Sequence, residues 1–588
     1  MSTTVEPRAP RNLLWGIAGA GLLVHVWAAW RGFFHMDDFF YLAEASGPFG
    51  DYVTQVYNGH LMPAQFAIVW VSQAVAPMSW PIAVLVVSAM WAATLGAAVV
   101  LQRSLFGASP WAIISVTILA FAPLLTTVTV WYASALQILP WAATFMLTLY
   151  FAVRHARDPR WRWVVAASLT FVIGLAFWQK SLLYLPVVLW LSWRYWPGTG
   201  RLGLGGLGRR WWLPAVTLGI AVAYGLVYLA AQSEAVLRSR PTLDQLVDSV
   251  RITLGEVWLP GYVGAPWTGF TDALVPGSSS AWWLFLLIMQ GVIALVVISV
   301  MRWRSAWNAW FIIAVFAAVT VVLFVFGRIN VFGIVLAIDP RYVEDLFVVG
   351  AVVLPFAFVR PAGSPLPAPR DLAWLPRGVP GWAQAVGWLA FANLLILPTI
   401  AVGRSWHGTP AQGFVSTVRE VASDQPGIVI FDRKVPELVM SNLFLERSNA
   451  SYVLAGAGLP IRWNGSAEQI YILNDDGGVR PANLAASSTS VPGFDGDCGY
   501  RVFGGPATIE LDTSLFEWTW IGQIDYLAAE AGVLGVALDG PSVPVSVEKG
   551  AGRAQFVVVG GGDTLVITPP EGIGVCISGA VLGQDGPT

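Results

Sequence analysis

Residues 33–44, Phe-Phe-His-Met-Asp-Asp-Phe-Phe-Tyr-Leu-Ala-Glu, set two adjacent carboxylates beside a histidine and a tyrosine. A carboxylate near low-dielectric material is a useful proton acceptor, because burial disfavours its charged form and raises its pKa. Asp37 or Asp38 is therefore a candidate general base. Two neighbouring carboxylates also supply the oxygen ligands that Mg, Mn or Ca prefers. If the stretch is helical, Asp37, Tyr41 and Glu44 share a face at i, i+4 and i+7, and Asp38 points about 100° away. His35, Tyr41 and Glu44 are then candidate substrate contacts. The opposing reading is a solvated acid pair capping a short helix, and residue types alone leave both open.

A second group follows at Tyr57-Asn58-Gly59-His60-Leu61-Met62-Pro63. The chain has 5 histidines, and two of them, His35 and His60, lie close to the acid pair, which favours a site over chance. His60 is a candidate for holding a phosphate or a sugar hydroxyl, or for ligating a metal with Asp37 and Asp38. Tyr57 and Asn58 are candidate substrate contacts; the alternative is a helix-entry turn with a structural histidine. Further along come Gln179-Lys180, then Arg328, then Asp339-Pro340-Arg341-Tyr342-Val343-Glu344-Asp345. A cation beside lipid needs an anion or a route to water. Grouped around one vestibule, Lys180, Arg328 and Arg341 would grip a lipid phosphate, with Gln179 and Tyr342 alongside. Local ion pairs, such as Arg341 with Glu344 or Asp345, are the alternative. Trp131, Tyr132 and Trp178 suit an aromatic belt or a substrate wall.

The elements that must position these groups are membrane spans. The 588 residues are 56% hydrophobic and 12% charged, about half the charged share of ordinary soluble domains. The mean hydropathy is +0.64. Apolar runs of about 18–25 residues recur, each long enough to cross ~30 Å of hydrocarbon. They predict about eleven spans, at 13–30, 80–101, 110–130, 135–153, 163–178, 181–196, 212–231, 281–301, 307–327, 343–359 and 381–402. Residues 63–76 are apolar but short, and read as a helix at the interface anchored by Trp70. The first span lacks a small-residue cleavage site and reads as a span, not a leader. Gln137 and Pro140 in the fourth are tolerable where protein surrounds them.

Most Lys and Arg before residue 403 fall on the side of the N-terminus, and most Asp and Glu on the other. That predicts a cytoplasmic N-terminus, a first outer loop at 31–79 and, after an odd number of spans, an extracytoplasmic tail. A net charge of −2 gives no reason to expect nucleic acid as a partner. Residues 203–208 match GxGxxG without a preceding strand, so a flexible loop is the better reading. With no P-loop, ATP-driven transport by this chain alone is not expected.

The tail reads as a mixed α/β region at 403–490 and a β-sandwich at 491–588. Phe414–Ala422 has helical spacing; 427–431 and 469–473 are apolar runs between turn signals. Alternating runs at 507–511, 543–547, 555–559 and 564–568 lie between glycine-rich turns. Cys498 and Cys576 are the only cysteines, and in an exported domain they are expected to pair and to clamp the first and last strands; unpaired core thiols are the alternative. Phe516, Trp518, Trp520 and Tyr526 are core aromatics or a sugar-stacking face.

The sum of these features resembles the GT-C glycosyltransferases: a first span, a long outer loop opening with Asp37-Asp38, an interfacial helix, many further spans and an outer C-terminal domain. The topology carries it over about 400 residues; the motif match is Asp37-Asp38, then His60 and Arg341-Tyr342. The tail is similar in pattern to carbohydrate-binding modules of actinobacterial cell-wall enzymes. The resemblance implies a polyprenyl-phosphate sugar as donor, a cell-envelope glycan or glycolipid as acceptor, and the plasma membrane as location. It implies an inverting displacement in which Asp37 or Asp38 takes the acceptor proton and Lys180, Arg328, Arg341 and His60 hold the leaving phosphate. No cofactor is required by it, and the nearby acids and histidines permit a divalent cation. Two rivals are a transporter or flippase of a lipid-linked sugar, which would carry mid-span charges and internal repeats, and a glycan-binding scaffold to which Asp37 and Asp38 are dispensable.

Overall fold

The computed structural model describes residues 12–196, 210–231, 241–265, 282–329, 333–372, 380–405, 409–569 and 572–586. The GxGxxG stretch at 203–208 lies outside them. The chain divides into two compact units, Met1–Thr409 and Pro410–Thr588.

In the first unit, seven helices among the described residues are long and apolar enough to cross a membrane. They are Leu13–Trp30, Trp80–Phe106, Tyr132–Arg157, Trp212–Ala231, Phe285–Arg302, Ala306–Ile329 and the helix starting at Gly381. Pro110–Phe121 and Pro123–Val130 make an eighth if taken as one span bent by 41°. The break falls at Pro123, which has no N–H to continue the ladder. The expected spans at 163–178, 181–196 and 343–359 form shorter helices, Trp161–Phe177, Ser181–Tyr195 and Glu344–Val353, of 17, 15 and 10 residues. At 1.5 Å per residue the longest of these reaches about 26 Å. The expected count of eleven is therefore not reached on length and composition.

Tyr132–Arg157 is the most enclosed of these helices, with Trp80–Phe106, Trp161–Phe177 and Ser181–Tyr195 packed on it. Leu13–Trp30 approaches Pro110–Phe121 through small residues: a Cβ on Gly21 would stand 2.6 Å from that of Ala120. Close backbone approach of this kind is how helices associate where no hydrophobic force drives them together. Nearby, the buried His25 ring stacks on Trp91 at 3.6 Å, and both hydrogen bond to Thr129 Oγ1, at 2.8 and 3.0 Å. Outward-facing Leu218, Val222, Leu226 and Leu229 on Trp212–Ala231 are exposed, as expected of a surface whose solvent is hydrocarbon.

The second unit holds two sheets. Val429–Ile430 runs parallel to both Arg462–Trp463 and Tyr471–Leu473, and Val479–Pro481 pairs antiparallel with the last. The larger sheet has eight antiparallel strands, centred on Ala507–Ala528 between Gly550–Thr568 and Val575–Asp585. Bulges at 510–515 and 515–518 bend the long strands. The sheet curls until its edge strand Val543–Val547 meets Ser466, whose Oγ donates to Pro544 O at 3.0 Å. Its inner face supplies a core of Trp520, Ile524, Phe556, Val558, Leu565 and Ile577, and Ile521 and Val557 on the other face pack against Val429, Ile470 and Ile472 of the smaller sheet. Trp520 and Tyr526 are thus core residues, while Phe516 and Trp518 are 65% and 55% exposed. Cys498 and Cys576 form a disulfide where Tyr500–Val502 pairs with the last strand.

Candidate active site

The acid pair opens a helix, Asp37–Glu44, seven residues after the first span ends. Acidic side chains in a first turn complement the helix dipole. The turn into it is strained, with Met36 at φ +46°, a region that costs about 1–3 kcal/mol for a residue with a Cβ. Asp38 holds this turn. It is fully buried, Oδ2 accepts from His35 N at 2.9 Å, and Oδ1 accepts from Ala133 N at 2.7 Å. Both oxygens are therefore spent on backbone, joining the first loop to the start of Tyr132–Arg157. Asp37 is half-buried, and its Oδ1 accepts from Trp131 Nε1 at 2.9 Å.

Burial raises the Asp37 pKa, opposed by the positive charge of Arg341 and the Trp131 hydrogen bond. Burial, then the charge of Asp37, pushes Asp38 well above the carboxylate range. Of the pair, Asp38 is raised the further, so Asp37 is the easier to ionise. His35, edge-on to Trp131 at 4.7 Å, is lowered to about 3 by burial and by Arg341, and is neutral.

The three expected phosphate-binding cations are not equivalent. Arg341 lies over the Trp131 ring at 3.4 Å, and its guanidinium forks onto Asp339 with Nε–Oδ2 2.9 Å and Nη2–Oδ2 2.7 Å. Its partner is thus Asp339, and the expected pairs with Glu344 and Asp345 do not form: Pro340–Tyr342 is a 3-10 turn that ends before the helix Glu344–Val353 begins. Glu344 instead hydrogen bonds to Thr127 and Ser134. The buried Asp345 pairs with Lys180 Nζ at 2.9 Å, and Lys180 also lies 4.6 Å over Trp178.

Arg328 differs. Its Nη2 donates to His60 Nε2 at 2.7 Å, and no carboxylate pairs with it among the described residues. A guanidinium can only donate, so Nε2 accepts and the ring is neutral; its Nδ1 meets the side-chain amide of Gln179. Burial, then the charge of Arg328, lowers the His60 pKa to about 3, which agrees. Arg328 is thus a half-buried cation with no ion-pair partner among the described residues, and its charge acts on Asp37.

His60 is placed by a two-residue ladder, Val56–Tyr57 with His60–Leu61, closed by Asn58-Gly59. Both turn residues have positive φ, +48° and +76°, as a type I′ turn requires. Asn58 is exposed and makes the turn; Tyr57 is buried. Tyr41 is buried edge-on between Tyr57 at 5.1 Å and Phe66 at 5.4 Å, and burial raises its pKa well above the phenol value. Glu44 ends the helix, half-buried. Tyr132 packs edge-on to Phe34 at 5.9 Å, and Tyr342 stacks on Phe324 at 4.3 Å. Of the expected site, Asp37, Arg341 and His35 gather on Trp131, and Arg328 and Gln179 gather on His60; the charge of Arg328 relates the two groups at Asp37, and Tyr41 and Tyr57 pack with Phe66 and Phe40.

Residues missed by sequence reasoning are Asp339 and two tyrosines of one span. Tyr228 Oη donates to Gly59 O at 2.7 Å and Tyr224 Oη to Leu61 O at 3.4 Å. Their i, i+4 spacing on one face was the available signal. Trp70, expected as a lipid anchor on the interfacial helix, donates its indole N–H to Gly47 O at 3.2 Å and braces the loop. Asp37, Asp38 and His60 do not fit a cation site: the oxygens of Asp38 and both nitrogens of His60 are engaged as described, and no group of three such ligands converges among the described residues. A cleft of about 280 Å³ lined by His155, Ser192 and Arg210 sits at the far end of Tyr132–Arg157 and contains no candidate residue.

No family model matches the chain, and no curated protein matches it. Among solved structures it aligns with the cryo-EM structure of arabinofuranosyltransferase AftD from Mycobacteria at 11% identity and a TM-score of 0.35. That alignment covers 98% of this chain and 58% of AftD. A mutant of the same enzyme aligns at 11% identity and a TM-score of 0.34, over 98% of this chain and 61% of that one.

Proposed function

We propose that this chain is a GT-C-type glycosyltransferase. It moves a sugar from a polyprenyl-phosphate donor to a cell-envelope glycan or glycolipid on the extracytoplasmic side. The observation that carries the reading is a half-buried Asp37 at the head of the loop helix, held by Trp131, together with Arg328, a cation that meets a neutral imidazole and acts electrostatically on Asp37. One group suits the proton that must leave, and the other suits the phosphate that must leave.

Asp37 accepts the proton of the acceptor hydroxyl as that oxygen attacks the anomeric carbon. The bond from that carbon to the phosphate oxygen breaks, and its electron pair departs on the lipid phosphate, with inversion. Arg328, with His60 beside it, stabilises the developing charge; such preorganised donors are worth about 10²–10³ in rate. Trp131 and Arg341 favour the charged form of Asp37 against its burial. Asp38 positions the loop through its two backbone hydrogen bonds and is not the base. No step is routed through a metal, because the expected ligands do not fit one.

The test is transfer from a panel of radiolabelled polyprenyl-phosphate sugars to a cell-wall glycan by purified protein, with nucleotide sugars in parallel and chelator as a further arm. The reading expects transfer from a lipid-phosphate donor alone. Flipping of a lipid-linked sugar in proteoliposomes without transfer would replace it by the transporter reading. Glycan binding without transfer or flipping would replace it by the scaffold reading.

A further inference from the structure

Asp339 is buried, and the transfer step as proposed does not use it. It begins the run Asp339-Pro340-Arg341. Proline fixes φ near −65° and favours a tight turn, and an aspartate at its head can accept from the backbone two residues on. That is the local arrangement: Asp339 Oδ1 accepts from Arg341 N at 3.0 Å. The same carboxylate takes the Arg341 guanidinium, with Nε at 2.9 Å and Nη2 at 2.7 Å from Oδ2. One side chain therefore fixes both the backbone and the head group of Arg341.

Where Arg341 is fixed bears on the base. Its guanidinium lies 3.4 Å over the Trp131 ring, and Trp131 Nε1 donates to Asp37 Oδ1 at 2.9 Å. Cation and carboxylate thus share one indole, yet no ion pair joins Arg341 to Asp37 among the described residues. A guanidinium and a carboxylate that meet ordinarily fork together. Such a pair would occupy the oxygens of Asp37 and lower its pKa by about 1–3, and both effects weaken a base. Asp339 acts on Arg341 more strongly than Asp37 does, and it is not among the charges that act on Asp37 itself.

Resting on the reading of Asp37 as the base, we infer that Asp339 is a positioning residue: it holds the Arg341 guanidinium on the Trp131 ring and keeps it from pairing with Asp37. Asp339 acts through Arg341 and is not itself a proton acceptor in the step. The other ionisable groups about Asp37 are Asp38, His35 and Tyr41 of its own loop and helix, Tyr342 of the 3-10 turn, and Arg328. Tyr132 comes from the start of Tyr132–Arg157, and the helix Pro63–Val75, packed on the loop helix, carries no ionisable side chain.

The experiment reads the protonation of Asp37 directly. The full chain in detergent is modified with a carbodiimide and an amine across a pH series, and the modified carboxyl is located by peptide mass spectrometry, normalised to the exposed Glu530. Transfer from a polyprenyl-phosphate sugar is measured over the same series. In Asp339→Asn the Asp37 midpoint and the acid limb of transfer are expected about 1 pH unit lower. The plateau rate is expected to fall about 10-fold, part of the 10²–10⁴ that a positioned base contributes. Asp339→Glu keeps the carboxylate and should return both toward wild type. Arg341→Gln should move the midpoint higher, and the double variant Asp339→Asn with Arg341→Gln should match it, because Asp339 acts through Arg341. The double variant replaces the buried ion pair by a neutral one, so the comparison survives if a single variant folds poorly. A midpoint in Asp339→Asn that is unchanged or higher overturns the proposal, as does a double variant that still shifts lower. A wild type that transfers no sugar overturns the transferase reading, and the midpoint shift then still decides what Asp339 does.

Discussion

Asp37 and Asp38 are neighbours in the chain, yet their oxygens do different work. Asp38→Asn turns an amide N–H₂ toward one of two backbone N–H groups, His35 or Ala133. Leaving such a buried donor unsatisfied costs about 1–3 kcal/mol, so thermal unfolding in detergent should show a loss of stability. Trp131→Phe removes the hydrogen bond that favours the charged form of Asp37. A hydrogen bond to a charged group is worth about 1.5–3 kcal/mol, which is about one pKa unit or more. Activity requires the ionised base, so it rises as pH climbs through a pKa already raised by burial. In Trp131→Phe that acid limb moves to higher pH, and a pH–rate profile reads it directly. His60 works in the opposite sense for stability. Its folded pKa of about 3 lies below the ordinary 6.5, so the unfolded state binds more protons between those values and stability falls as pH drops through that window. The adjacent carboxylates were legible in the sequence as a pair. Their division of labour was not, because it depends on Ala133 and Trp131, more than 90 residues away.

The hairpin 56–61 is the element that sets His60 against Arg328. Asn58-Gly59 is a strong hairpin signal by itself, but read as part of a longer loop it suggested only a turn into the next helix. Gly59 at φ +76° tolerates a Cβ poorly; Gly59→Ala costs about 1–2 kcal/mol in that conformation. The expected consequence is a donor KM several-fold higher with kcat less affected, measured in initial-rate assays. Tyr228→Phe, which removes the donor to Gly59 O, should act in the same direction and more weakly. The ion pairs were harder to read than the hairpin. Nearness in the chain made Glu344 or Asp345 the alternative partner for Arg341, whereas the 3-10 turn at 340–342 folds Arg341 back onto Asp339 and leaves Asp345 for Lys180. Long spans such as Leu13–Trp30 were legible because apolar length alone defines them; Glu344–Val353 was over-read because its apolar run continues into a 3-10 turn, Leu354–Ala357.

At the scale of the whole molecule, the bridge between Cys498 and Cys576 closes a separation of 78 residues in the second unit. On the chain-entropy model its removal costs about 4 kcal/mol, so Cys498→Ser together with Cys576→Ser should lower the unfolding temperature of that unit. The seven long spans make the membrane the common frame, and the account requires the first loop and the tail to face the same, extracytoplasmic side; membrane-impermeant thiol labelling of single cysteines placed at Asn58 and Asp476 in the cysteine-free chain should modify both from outside. The central claim is that Asp37 is the base of a lipid-phosphate-dependent sugar transfer. Its most direct test is the single-turnover rate of sugar transfer from a polyprenyl-phosphate donor by wild type and Asp37→Asn at matched folded fraction. The account predicts a loss of about 10²–10⁴ in rate for Asp37→Asn; a variant that transfers sugar at the wild-type rate would contradict it.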